Sequence, residues 1–206
     1  MSLFPIFVKL QGRLVVVVGG GEIAVGKIEG LLRAGARVRV IAPEVHASFA
    51  EPIRNRTIEW IPRKFEAGDI SDATLVVAAT SAAGVNARVF REAEARGILC
   101  NAVDDIENCH FYYGSIVQRG DLQIAISTNG KSPALAQRLR QELEQQFGPE
   151  YEVWLEWLGA ARELLRAADG GGTDRNKQML HQLASKPMYE RFLKEANKEP
   201  SRQGVA

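Results

Sequence analysis

Two stretches of the sequence place small or acidic residues where an apolar strand ends. The first is Gly19-Gly20-Gly21-Glu22-Ile23-Ala24, directly after the run Leu14-Val15-Val16-Val17-Val18. A strand, a Gly19-x-Gly21-x-x-Ala24 turn and a helix form the context in which such glycines hold a dinucleotide. Gly19 permits the tight turn, Gly21 lets the backbone approach a pyrophosphate, and the small Ala24 lets the helix lie close to the strand. The helix start adds free N–H groups and the positive end of its dipole. The second stretch is Asn101-Ala102-Val103-Asp104-Asp105. A carboxylate at that strand end can accept a proton beside a redox cofactor. The plainer reading is that one or both aspartates start a turn.

Further residues fall on the same expected edge. The tip of the second strand reads Ile41-Ala42-Pro43-Glu44, so Glu44 is the acidic candidate for the ribose hydroxyls, placed slightly late. Arg37 and Arg39 precede the tip, a poor position for a 2′-phosphate contact, which favours NAD over NADP. Thr80 and Ser81 end the Val76-Val77-Ala78-Ala79 strand and either face the ligand or cap the next helix. Cys109-His110 is an adjacent pair that cannot complete a metal site, and Cys100 supplies no known ligand geometry. The cysteines read as small buried hydrophobes, and no metal site is expected. His46 and His181 show no partner in the sequence.

The elements that must position these residues alternate. From residue 13 to about 102, short β-branched runs alternate with helical stretches, the pattern of a parallel sheet with crossover helices. Strands are expected at 14–18, 37–41, 57–61, 73–79 and 98–102, with helices at 22–34 and 84–96. Ile23, Lys27, Leu31 and Ala34 are read as one side of the first helix, which stops at Gly35. Then Phe111 to Val117 and Leu122 to Ser127 read as a hairpin across Gln118-Arg119-Gly120-Asp121. Ser132-Pro133 starts an amphipathic helix with Leu135, Leu139, Leu143 and Phe147 on one face. A further helix carries Trp154, Trp157, Leu158, Ala161, Leu164, Leu165 and Ala168 on one face, and this stripe reads as core. Gly170-Gly171-Gly172 breaks it, and Thr173 and Ser185 can cap two short helices. The expected architecture is α/β, a Rossmann-type parallel sheet followed by a small α+β dimerisation region and a C-terminal helical region. The expected bounds are 1–110, 111–149 and 150–196, with a disordered tail at 197–206.

Composition sets the remaining limits. The 206 residues are 46% hydrophobic and 25% charged, ordinary for a globular protein, and the net charge is +1. Such a balance gives no global field for nucleic acid or an anionic membrane. Two cysteines without a CxxC pair fit a reducing compartment. No targeting or spanning segment is visible, so a soluble cytoplasmic protein is expected.

Several of these stretches together carry a family resemblance. Phe4-Pro5-Ile6-Phe7, Gly19-Gly20-Gly21-Glu22-Ile23-Ala24, Asn101-x-Val103-Asp104 and Ala125-Ile126-Ser127-Thr128-Asn129-Gly130-Lys131-Ser132-Pro133-Ala134-Leu135-Ala136 resemble the precorrin-2 dehydrogenase/sirohydrochlorin ferrochelatase family. This is the N-terminal module of siroheme synthases. The resemblance covers residues 3 to 150 and continues more weakly through the helices. It implies NAD-dependent oxidation of precorrin-2 to sirohydrochlorin, in siroheme or cobalamin-type tetrapyrrole biosynthesis. In some members insertion of Fe²⁺ as a second substrate follows. No methyltransferase activity is expected from this chain.

The implied roles fall on particular residues. The catalytic aspartate falls on Asp104, with Asp105 extra. Cofactor contacts are expected at Gly19, Gly20, Gly21, Glu22, Ile23, Ala24, Pro43, Glu44, Thr80, Ser81 and Val103. Some relatives carry a phosphorylatable serine where this chain has Thr128. Precorrin-2 carries eight carboxylates, and its oxidation removes a hydride and a proton, which calls for NAD and a positioned base. Ser127, Thr128, Asn129, Gly130, Lys131 and Ser132, at a helix start, are the expected site for substrate acids. Arg119 and Arg138 are further candidates. The resemblance also implies a homodimer whose cleft holds the tetrapyrrole. The competing reading is a non-catalytic NAD-binding regulatory module, which needs only the glycine turn.

Overall fold

The computed structural model describes residues 3–169 and 173–196. The expected break at Gly170-Gly171-Gly172 and the expected tail at 197–206 lie outside them. The chain forms two compact units, one of Leu3–Tyr113 and one of the described residues from Gly114 onward.

In the first unit, β1 (Leu14–Val18), β2 (Arg37–Ile41), β3 (Ile58–Ile61), β4 (Leu75–Ala78) and β5 (Leu99–Ala102) form one sheet in the order β3-β2-β1-β4-β5. Every pairing is parallel. The continuous apolar runs of β1 and β4 follow from burial on both faces, and all nine of their residues are buried. Alternate side chains feed two cores. Val15, Val17, Val38, Val40 and Val77 pack on one face with Ala24, Ile28 and Leu31 of α1 (Glu22–Arg33). Val16, Val18, Val76, Cys100 and Ala102 pack on the other with Val89, Phe90 and Ala93 of α3 (Ala83–Ala95).

The buried stripe of α1 differs from the expected one. Ile23 is 54% exposed and Ala34 lies at the surface, whereas Ala24, Ile28 and Leu31 are buried. The i, i+4, i+7 spacing from Ala24 matches the helical period, so the small residue expected to lie against the strand also sets the packed face. A 3-10 turn at Ala47–Phe49 and the short α2 (Ala50–Arg54), neither expected, follow β2. Phe49 of that turn closes the first core.

In the second unit, β6 (Ser115–Arg119) and β7 (Leu122–Ile126) pair antiparallel with Arg119 opposite Leu122. The turn is therefore the two residues Gly120-Asp121, with Gly120 at φ +53°. The expected strand from Phe111 starts four residues later because residues 109–111 are held by β5. His110 N–H donates to the Cys100 carbonyl at 2.8 Å, and the Asn101 amide donates to the Phe111 carbonyl at 2.8 Å. Four helices follow: α4 (Pro133–Gln146), α5 (Glu150–Asp169), α6 (Asp174–Leu183) and α7 (Lys186–Ala196). Ser132 caps α4 by accepting from Leu135 N–H, and Thr173 caps α6 by accepting from Asn176 N–H.

The Trp stripe is core in part. Trp154 is 5% exposed and packs on Tyr189 and Phe192, while Leu164 of the same expected face is 73% exposed. Among the described residues, no helix is long and apolar enough to cross a membrane.

Candidate functional site

Because β1, β2, β4 and β5 run parallel, the loops after them share one sheet edge. The structure therefore brings together the glycine turn, Pro43-Glu44, Thr80-Ser81 and Val103-Asp104, which lie apart in sequence.

The three glycines do different work. Gly19 sits at φ +112°, and a Cβ there would run into the Ala79 carbonyl just past the end of β4. Gly20 lies against the next loop: a Cβ would stand 2.7 Å from the Glu44 carbonyl oxygen and 2.7 Å from Val45 Cγ1. His46 N–H donates to the Gly20 carbonyl at 2.7 Å. This pins the 44–46 segment, with Glu44, to the glycine turn. Gly21 caps α1 at φ −77° and ψ −176° without a side-chain cap bond, and its Cβ position is open space. No side chain caps the start of α1, and nothing stands within 4 Å of the Cβ position at Gly21, which leaves an open cradle there. A pyrophosphate fits that cradle, with the helix dipole favouring its charge. Ala24 is fully buried against the sheet, as its size permits.

Around this cradle the loops are held by specific bonds. Trp60 Nε1 donates to the Ala42 carbonyl at 2.9 Å and fixes the tip of β2. Arg39, midway along β2, is paired with Glu59 at 2.9 Å and Asp72 at 3.0 Å, so its guanidinium is engaged away from the tip. Thr80 does not cap α3, whose N-cap is Ala82. Asn86, 4% exposed, clamps Thr80 instead. Its Oδ1 accepts from the Thr80 hydroxyl at 2.7 Å and from its N–H at 3.2 Å, and its amide donates to the Thr80 carbonyl at 3.0 Å. Asn86 was missed in the sequence, although its signal was there. It shares the buried face of α3 with Val89, Phe90 and Ala93, and a polar side chain on an apolar face needs partners.

At the end of β5 the two aspartates separate. Asp105 starts a turn: its carboxylate accepts from Asn108 N–H at 3.3 Å and from the Asn108 amide at 2.6 Å. Asp104 is exposed and stands at φ +61°, in the left-handed region that a non-glycine residue occupies only at a cost. Val103 N–H donates to the Ala78 carbonyl at 2.9 Å, tying this end of β5 to the end of β4. Two residues near Asp104 were not singled out as site residues in the sequence. Lys27 Nζ lies 3.8 Å from the centre of the Tyr113 ring. Burial lowers the Lys27 pKa, and the charge of Asp104 acts in the opposite direction. The Tyr113 hydroxyl is pushed up to about 12 by its desolvated surroundings, although 39% of the residue's surface is accessible.

The cysteines and two of the three histidines, His46 and His110, have local partners. Burial pushes the Cys100 thiol up to about 12. Cys109 Sγ lies 3.1 Å from the carbonyls of Ala102 and Asp105. His110 Nδ1 accepts from Cys100 N–H at 3.1 Å, and its ring stacks on Phe90. His46 Nδ1 lies 2.9 Å from the Ser48 hydroxyl.

The 127–132 loop belongs to the second unit and is organised by its own hydroxyls. Thr128 Oγ1 donates to the Ser132 carbonyl at 3.1 Å and accepts from Ser132 N–H at 3.2 Å, while Ser127 Oγ accepts from Asn129 N–H. Asn129 and Gly130 both take positive φ, and Lys131 is exposed. Arg119 is not free for an anion. It donates to the carbonyls of Phe147 at 2.8 Å and Glu144 at 3.1 Å, closing the C-terminal end of α4. Arg138 is exposed and pairs with Glu142 at 3.5 Å.

Comparison with known proteins adds the following. Residues 6–115 match a family described as putative NAD(P)-binding, and residues 119–146 match one described as sirohaem biosynthesis protein central. A siroheme synthase of Actinobacillus pleuropneumoniae serotype 3 (strain JL03) is 44% identical over 166 residues, 79% of this chain and 34% of that protein. Siroheme synthase 1 of Serratia proteamaculans (strain 568) is 39% identical over 171 residues, 81% of this chain and 36% of that protein. The chain thus spans about a third of the length of these relatives. Among solved structures, the precorrin-2 dehydrogenase SirC superposes with a TM-score of 0.75 at 27% identity. That match covers 95% of this chain and all of the other.

Proposed function

The chain belongs to the putative NAD(P)-binding family, and on that premise we propose that it oxidises precorrin-2 to sirohydrochlorin with NAD as the hydride acceptor. The observation that carries this reading is one sheet edge holding both an open, uncapped helix start at Gly21 and a carboxylate held in a costly backbone conformation at Asp104. The first suits a pyrophosphate and the second suits proton removal. The likeness to SirC over its whole length supports the same substrate.

The chemistry divides between cofactor and chain. NAD, when bound, takes up the hydride. The chain's residues do the rest. Gly19 and Gly20 shape the turn, and the N–H groups of Glu22 and Ile23 face the phosphates. Glu44 stands beside the turn for the ribose, and Thr80, Ser81 and Val103 line the edge toward Asp104. The Asp104 carboxylate accepts the proton that leaves the macrocycle as its bond order rises. Ser127, Thr128, Asn129, Gly130, Lys131 and Ser132 are assigned to the substrate's acids. We also propose a homodimer. Its support is apolar surface on the second unit at Ile116, Val153, Trp157 and Leu164, which are 48%, 56%, 40% and 73% exposed.

Anaerobic incubation of the purified chain with precorrin-2 and NAD tests the activity. Equimolar NADH and sirohydrochlorin are expected, and absence of NADH overturns the reading. Light scattering on the same sample gives the mass, and a monomer at micromolar concentration overturns the dimer.

A further inference from the structure

Within Leu3–Tyr113, three basic side chains are drawn back from solvent: Lys27, Arg39 and Arg63. Removing a cation from water is costly unless an anion compensates it. Arg39 has two carboxylates, Glu59 and Asp72. Arg63 holds Asp69 through two bonds of 2.7 and 2.8 Å. Lys27 has no carboxylate within ion-pair distance among the described residues, and its close partner is the face of Tyr113. Its Coulombic partner is Asp104, near enough to act on it but beyond direct pairing.

A half-buried cation without a carboxylate is therefore kept within Coulombic reach of the residue assigned as the base. An anionic base repels an anionic substrate, and the tetrapyrrole of the proposed reaction carries carboxylates on every ring. Something at that place must offset the repulsion if the macrocycle is to approach Asp104. Resting on the proposed function, we propose that Lys27 receives a carboxylate of the tetrapyrrole and so holds the macrocycle against Asp104. The ring of Tyr113 keeps the ammonium in place and favours its charged form. The position on α1 suits this role. Lys27 lies beyond the first turn, where the N–H groups assigned to the pyrophosphate are found.

The test uses the full chain with Lys27→Met, which keeps most of the apolar stem, and with Lys27→Arg, which keeps the charge. Equilibrium binding of sirohydrochlorin without NAD, followed by its absorbance, is the readout independent of turnover. Lys27→Met is expected to weaken sirohydrochlorin binding and raise the KM for precorrin-2 by about tenfold or more. NAD affinity should stay within about twofold, and Lys27→Arg should retain most of the binding. Lys27→Gln gives the same comparison should the Met variant melt early. Unchanged sirohydrochlorin affinity in a folded Lys27→Met overturns the proposal while leaving the dehydrogenase reading intact. Loss of NAD affinity in place of tetrapyrrole affinity overturns it in favour of a phosphate contact. A wild-type chain that forms no NADH removes the proposed function and this assignment with it.

Discussion

Replacing Gly21 by alanine separates folding from cofactor binding. Gly21 is the N-cap of α1 at φ −77° and ψ −176°, extended backbone that any residue adopts, and an added Cβ meets nothing within 4 Å. Alanine is a poorer N-cap than glycine, a loss of about 0.5–1 kcal/mol. Its smaller freedom in the unfolded chain returns about 0.4–1 kcal/mol. The two offset, so the melting temperature should move by less than about 3 °C. The open position of that methyl group is where a pyrophosphate would approach the backbone. Losing one charge-assisted hydrogen bond there is worth about 1.5–3 kcal/mol, or about 10- to 150-fold in NAD affinity. Calorimetric titration with NAD, beside a thermal melt of the same sample, measures both. An unchanged affinity at an unchanged melting temperature would refute the placement of the pyrophosphate over Gly21. Gly19→Ala is the contrasting control: at φ +112°, with the Ala79 carbonyl in the way, it should lose both stability and binding.

Other consequences follow from individual contacts. Asp104→Gly relieves a left-handed backbone at φ +61°, worth about 1 kcal/mol. The freer unfolded chain gives back about 0.4–1 kcal/mol, so the melting temperature should move by less than about 2 °C while turnover disappears. Turnover retained in this variant or in Asp104→Asn would show the base to be elsewhere. Asn86→Ala removes the clamp on Thr80 and leaves buried groups unpaired, which should cost about 1–3 kcal/mol in a denaturant melt. Asp69 sits below its ordinary value of 3.8 chiefly through the hydrogen bond from Arg63. Its stabilising contribution is thus fully present above pH 3.8 and lost as the pH falls through the lower folded-state value. Asp69→Asn should be less stable than the native chain at neutral pH, and the gap should close in acid. A gap independent of pH would contradict the pairing.

The sequence by itself carried the alternation of the first unit, because β1, β2 and β4 are rich in valine and isoleucine and most of the turns between elements are marked by glycine, proline or aspartate. Leu14–Val18, Arg37–Ile41 and the helix starting at Glu22 were legible for that reason. So was the glycine turn, since only glycine suits φ +112° at Gly19 and the close backbone at Gly20. The packed face of α1 lies one residue away from the expected Ile23–Lys27–Leu31–Ala34 side: Ala24, which its size already placed against the strand, is buried with Ile28 and Leu31, while Ile23 is exposed. The hairpin began later than expected because long-range bonds from Cys100 and Asn101 hold residues 109–111, and such bonds leave no periodic mark in the chain.

The same holds for the site. Asp104 and Asp105 are identical in type and adjacent in sequence. Only the fold turns one into a capping group bound to Asn108 and leaves the other exposed in a strained conformation. Arg39, Arg119 and Lys27 were equally basic on paper. Tertiary packing engaged the first two with carboxylates and carbonyls and left Lys27 over Tyr113. Residue types and local spacing determine which chemistry the chain can offer. Which side chains remain available for it depends on where the rest of the chain spends its charges and hydrogen bonds, and that is settled only when distant segments pack together.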